Sequence, residues 1–225
     1  MICAVIPTLK ASDRLGPLLK QLRPHVERIV ITDSGSDDTT LTLATQSDAR
    51  LALGSPGRGK QLRRGCDWAQ NCDWLLILHS DCQLTQGWER VIKHHIENHP
   101  DEAGYFDLKF DSRRLSARLA EALVRLRCWA WGLPYGDQGL FISRGLYNSV
   151  GGYPDFPLFE DVALIEALGK KRIRRLKQPI LTFAARHEHD GYILRGWKNL
   201  RLLRRFHKGD NIQSLLQHYQ LKDYQ

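Results

Sequence analysis

The chain has 225 residues, 42% of them apolar and 26% charged, with 33 Lys/Arg against 25 Asp/Glu and a net charge of +8. That is enough length for a full core and an ordinary globular composition, which excludes disordered, collagen-like and low-complexity chains. No apolar run approaches the roughly 18 residues of a membrane span. The five cysteines include no C-x-x-C pair, which argues against a zinc knuckle or disulfide scaffold and for reduced thiols in a cytoplasmic protein. The positive charge is concentrated at one end: residues 170–225 hold 14 Lys/Arg and 4 Asp/Glu, residues 1–169 hold 19 and 21.

In chain order, Cys3–Ile6 reads as a strand, and Ser12 caps a helix with Leu15, Leu18, Leu19 and Leu22 on one face, stopped by Pro24. Arg28–Thr32 is a second strand, and Asp37 or Asp38 caps a short helix. Leu51–Leu53, a helix from about Lys60 to Ala69 and the strand Trp74–Leu78 follow, then a helix capped by Thr85 and ending near Asn98. Tyr105–Phe110 reads as a strand, and Arg113–Leu133 as a long helix with Leu115, Leu119, Leu123, Leu126 and Trp129 or Ala130 inward. Gly139–Ile142, a helix over 161–168 and the strand Ile180–Phe183 complete the pattern. Strands alternating with helices predict an α/β fold with a mainly parallel central sheet flanked by helices.

Polar clusters follow the apolar strands, where open α/β sheets bind ligands. Pro7-Thr8 follows the first. Asp33-Ser34-Gly35-Ser36 follows the second, and suits either a nucleoside contact or a capped tight turn. His79-Ser80-Asp81 follows the unbroken run Trp74–Leu78, where Asp81 is placed to hold a metal or substrate hydroxyl, or to serve as a loop acid. Glu160-Asp161 opens a helix, where acids also complement the helix dipole. Gly54-x-x-x-x-Gly59-Lys60 resembles a Walker loop, but Gln61 stands where Ser or Thr would hold magnesium. Arg58 and Lys60 nevertheless suit diphosphate charge.

Taken in order, these segments resemble family 2 glycosyltransferases of the GT-A fold. Val5-Ile6-Pro7-Thr8 is similar to the family's opening strand, and Ile29–Thr39 to its V-D-D-G-S-x-D-x-T nucleoside segment, with Ser34 replacing the second acid. Leu78-His79-Ser80-Asp81 resembles the L-H-A-D variant of the metal-binding D-x-D. Gly136-Asp137-Gln138-Gly139 and Gly151 through Asp161 resemble the acceptor half, and Arg186-His187-Glu188-His189 occupies the place of Q-x-x-R-W. The resemblance covers roughly residues 2–190 and implies a GT-A-like (Rossmann-like) fold with a nucleotide half at about 1–104 and an acceptor half at 105–191. No linker separates the parts, and with a basic helical tail at 192–225 the chain reads as a single domain over 1–225. It implies transfer from a nucleotide-diphosphate sugar to an acceptor hydroxyl with inversion, assisted by Mn²⁺ or Mg²⁺. Asp81 and His79 would hold the metal. Pro7, Thr8, Asp33, Ser34, Arg58, Lys60, Gln61 and Ser80 would meet the nucleotide, with Asp161 as base and Glu160 orienting. A non-catalytic nucleotide- or sugar-binding module on the same scaffold is the alternative.

In the basic tail, Ile193, Trp197, Leu200, Leu203 and Phe206 share one helical face. This reads as a core-packed helix or as a peripheral contact with an anionic membrane, bringing a lipid-linked acceptor within reach of a site that otherwise takes a small molecule. The run Lys170–Arg175 is basic as well, but no reading motif accompanies it, and nucleic acid is not expected as a partner.

Overall fold

The computed structural model describes residues 1–183 and 191–220. Strands are β1 Ile2–Thr8, β2 Arg28–Asp33, β3 Arg50–Leu53, β4 Trp74–Ile77, β5 Cys82–Leu84, β6 Ala103–Phe110, β7 Leu140–Ser143 and β8 Ile173–Thr182. Helices are α1 Ser12–Leu22, α2 Thr40–Gln46, α3 Arg58–Trp68, α4 Trp88–Asn98, α5 Leu115–Trp131, α6 Arg144–Ser149, α7 Glu160–Leu168, α8 Tyr192–His207 and α9 Ile212–Gln220. The strands form one sheet in the order β3-β2-β1-β4-β7-β6-β8-β5. The first four are parallel, as the βα rhythm predicts, and β7 enters antiparallel to both β4 and β6.

This order fixes where a ligand can sit. The chain builds β1, β2 and β3 outward, then crosses back through α3 to lay β4 on the other side of β1. The crevice beyond the carboxyl ends of β1 and β4 is therefore the topological switch point. Because β7 runs against β4, with Leu140 opposite Ile77, the residues just before β7 arrive beside the residues just after β4. One core lies on each face: Leu15, Leu18, Leu19 and Leu22 of α1 pack with Ile6, Ile29 and Leu76, while Leu62 and Cys66 of α3 pack with Val5, Val30 and Leu75.

Several expectations are corrected. Ser12 and Thr85 do not cap: the N-cap position of α1 is Ala11, with no side-chain cap, and Thr85 donates to the Pro179 carbonyl at 2.7 Å. Pairing of β1 with β4 brings Cys3 and Cys72 side by side, with their Cα atoms 5.8 Å apart, while Cys66, Cys82 and Cys128 are buried free thiols. The basic run after Lys170 is structural: Ile173–Arg175 open β8, and Arg174 and Arg175 form two-pronged ion pairs with Glu102 and Asp107. The C-terminal tail is two helices, with Asp210 accepting from Arg205 at the bend between them. Its expected stripe splits, Leu203 being buried and Trp197 64% exposed.

The largest correction is α5, whose leucine stripe faces outward. Leu115 is 86% and Trp129 76% exposed, and Leu119, Leu123 and Leu126 are about half exposed. The inward face is Ala117, Ala120, Glu121, Val124 and Cys128. Glu121 decides the orientation. Its carboxylate accepts from the Phe110 backbone N–H at 2.8 Å and from Arg118 at 2.8 Å, satisfying the end of β6, and small residues beside it let α5 approach Leu108 and Phe110.

Candidate active site

Thr8 and Asp33 end the parallel strands β1 and β2 and lie side by side. The fully buried Asp33 carboxylate accepts from Thr8 Oγ1 and Ser36 Oγ at 2.6 Å each, and from the Gly35 and Ser36 backbone N–H groups at 2.8 Å each. Burial alone would raise its pKa. The hydrogen bonds, led by that of Ser36, outweigh burial and hold it below the ordinary carboxylate value. Gln61 is buried beneath this pair and donates to the Thr8 and Thr32 carbonyls at 2.9 and 3.1 Å, so its amide braces the two strand ends. Pro7 is buried in β1, and the Ser34 hydroxyl is buried without a hydrogen-bond partner among the described residues.

The Walker-like loop is filled by protein. Gly59 N–H donates to the Phe156 carbonyl at 2.9 Å, and a Cβ there would lie 2.2 Å from the Pro154 carbonyl oxygen. Residues 154–156 thus take the space a phosphate would need, which removes the P-loop reading. Lys60 turns to Asp155, 3.6 Å away, in a shallow groove it shares with Arg63, Arg64, Asp67 and Trp68. Arg58 turns the other way. Its Nε lies 2.9 Å from Glu160 Oε1, and its terminal nitrogen contacts His79 Nε2.

His79, Ser80 and Asp81 form the half-buried turn between β4 and β5, with His79 Nδ1 3.9 Å from Asp81 Oδ1. Across the crevice, Gly136 N–H donates to Asp161 Oδ2 at 2.6 Å, and Val162 N–H donates to Asp161 Oδ1 at 2.8 Å. A Cβ on Gly136 would lie 2.8 Å from His79 Nε2 and 3.2 Å from Asp161 Oδ2. The turn after β4 and the start of α7 therefore share one cleft, and a side chain at 136 would have to displace the His79 ring. Glu160, 3% exposed beneath Arg58, is pushed up to about 7 by burial and by the Asp161 charge, with Arg58 opposing.

Asp137 is the member of this cluster whose role the motifs did not show. Its Oδ1 is buried and unpartnered among the described residues, and burial followed by the charges of Asp161 and Asp81 raises it to about 6 against the pull of Arg127. Its position is set from α5. Arg127 stacks over the Tyr135 ring at 3.5 Å and donates to Gln138 Oε1 at 3.0 Å, while Gln138 donates to the Phe106 carbonyl at 3.1 Å. Asp81 and Asp137 supply hard oxygen donors of the kind Mg²⁺ and Mn²⁺ take together with ligand phosphates. Among the described residues no group of three or more His, Cys, Asp or Glu forms a cage by itself.

Residues 3–145, which carry Thr8, Asp33, Arg58, His79, Asp81 and Asp137, match glycosyl transferase family 2. The chain belongs to that family. Comparison with curated proteins gives no match. Among solved structures, this glycosyl transferase family 2 chain is similar to glucosyl-3-phosphoglycerate synthase from Mycobacterium tuberculosis in complex with Mn²⁺, uridine-diphosphate and glucosyl-3-phosphoglycerate. The TM-score is 0.55 at 21% identity, covering 80% of this chain and 70% of that one. S. aureus TarS 1-349 in complex with UDP gives a TM-score of 0.61 at 16% identity over 81% and 60%, and a mycobacterial protein 0.56 at 21% over 81% and 65%. At such identities the likeness is one of fold, and it extends the GT-A architecture beyond the matched segment.

The structure thus gathers Arg58, His79, Asp81, Glu160 and Asp161 around one cleft of the transferase, and Thr8, Asp33 and Ser34 at the neighbouring strand ends. It sets Lys60 on the surface groove and Gln61 beneath the strands. Arg186, His187, Glu188 and His189 lie outside the described residues. One conformational detail holds the acid pair. Phe159, immediately before Glu160, sits at φ +62° in the left-handed region, its ring packed 5.2 Å from that of Phe206 in α8. A bulky residue there is strained, and the ring contact offsets the cost.

Proposed function

We propose that this family 2 chain transfers a glycosyl group from a nucleotide-diphosphate sugar to an acceptor hydroxyl with inversion, assisted by Mn²⁺ or Mg²⁺. The observation that carries the reading is the single cleft in which His79, Gly136 and Asp161 meet, at the switch point of the sheet. Asp33, kept ionised by its hydrogen bonds, and the Ser34 hydroxyl, without a hydrogen-bond partner among the described residues, would meet the nucleoside. A divalent cation held by Asp81 and Asp137 with the donor's diphosphate would neutralise charge on the departing phosphate. Arg58 adds fixed positive charge on the same side, and His79 holds its guanidinium in place.

Asp161 takes the acceptor's proton as the hydroxyl attacks the anomeric carbon. Two backbone N–H groups fix the orientation of its carboxylate, so the base needs no rearrangement to act. Glu160 stays beneath it, holding Arg58 and filling the floor. Calorimetric titration of nucleoside diphosphates with Mn²⁺ and Mg²⁺ tests the donor side. We expect cation-dependent binding that Asp81→Ala abolishes and Asp161→Asn preserves. Donor hydrolysis or transfer should fall by about 10²–10⁴-fold in Asp161→Asn. Binding that ignores the cation, or an Asp161→Asn variant of undiminished turnover, overturns the assignment.

A further inference from the structure

The outward face of α5 is a continuous apolar stripe. Leu115, Leu119, Ala122, Leu123, Leu126 and Trp129 recur at helical spacing along most of this 17-residue helix, a strip about 21 Å long. All six are exposed, and no charged side chain interrupts them. Isolated surface leucines need no explanation, but an aligned face of this length is an interaction surface. The charges beside it have one sign. Residues 113–131 contain five arginines and a single acid, and that acid is Glu121, buried on the opposite side. Helix α8 packs beside α5 and adds Leu194 and Trp197, both exposed, on a helix with five Lys/Arg and no acid.

We propose that α5 and α8 dock the protein on an anionic lipid bilayer, with α5 lying in the plane of the interface and its leucine and tryptophan side chains among the acyl chains. Charge complementarity selects this occupant. Arg113, Arg114 and Arg125 around α5, with Arg201 and Arg204 on α8, are exposed and match phosphate headgroups, and leucine with tryptophan beside arginine is the composition of interfacial helices. A second copy of the chain is disfavoured, since two such faces would bring arginines and no exposed acid to one interface. Among the described residues no helix is long and apolar enough to cross a membrane, so the contact lies on the leaflet.

The docking stands on this surface alone. One consequence rests on the proposed transfer: the Trp129 end of α5 leads within a few residues to Gly136, so an acceptor hydroxyl held in the leaflet would approach Asp161 from that end.

Co-sedimentation of the full chain with vesicles tests docking without reference to transfer. We expect binding to phosphatidylcholine vesicles containing phosphatidylglycerol at least about tenfold tighter than to phosphatidylcholine alone, weakened by salt. The double variant Leu119→Glu/Leu126→Glu should lose at least about tenfold in partitioning while its thermal melting is unchanged. Arg125→Glu should lose about fivefold, and brominated lipid should quench the tryptophan emission of the parent more than that of Trp129→Phe. The proposal is overturned if the chain ignores anionic vesicles, if it binds neutral vesicles equally, or if the double variant binds like the parent. Self-association that Leu126→Glu disrupts, without lipid binding, overturns it in favour of a second copy.

Discussion

Helices α1 and α5 carry nearly the same message and fold to opposite effect. Each presents leucines at helical spacing. Those of α1 are wholly buried against β1 and β2, while those of α5 face away from the sheet. Periodicity finds the apolar face of a helix, but what that face meets depends on the residues opposite. In α1 the opposite face is Asp13, Pro17 and Lys20, which belong in water. In α5 it includes Glu121, which β6 needs, and small residues that sit closely on Phe110. A single carboxylate with two hydrogen-bond donors waiting for it outweighs several leucines when something else can cover them.

The comparison is broken or sharpened by substitution. Leu18→Ala in α1 should cost about 2–5 kcal/mol in urea unfolding, as for other fully buried leucines. Glu121→Leu should cost about 1–3 kcal/mol, because it leaves the Phe110 N–H buried without an acceptor; an unchanged midpoint would mean that Glu121 does not set the face of α5. Glu160, the other buried glutamate at a helix, differs in being raised to about 7 from 4.5. Between those values the native state keeps a proton that the unfolded chain has released, so its contribution to stability declines as pH rises from about 4.5 to about 7. Melting temperatures of Glu160→Gln across that range should show a shallower decline than the parent. Leu126→Ser on the outward face should move stability by no more than about 0.5 kcal/mol.

Much of the parallel half was legible because its strands are unbroken apolar runs ending in polar residues. The run Trp74–Leu78 followed by His79-Ser80-Asp81 marked both a buried strand and a place for chemistry. The antiparallel half was harder. The first half of β8 is Arg- and Lys-rich and reads as solvated until Glu102 and Asp107, about 70 residues away, arrive beside it. β5 has three residues, too few for a pattern. Gln61 looked like a ligand contact because it follows a glycine loop, yet its partners are two strand carbonyls. Asp137 stands in a motif that the family resemblance marked, but only β7 running against β4 shows that it joins Asp81 and Asp161.

The stacking of Phe206 on Phe159 has a practical outcome for anyone shortening this chain. A fragment ending before α8 would seem a clean way to separate surface attachment from turnover. It would also strip the ring that stabilises an unfavourable backbone angle one residue ahead of Glu160 and two ahead of Asp161. Such a fragment should lose activity even on a freely diffusing acceptor, so point changes on the outer helical faces, with the C-terminal helices left in place, are the cleaner instrument.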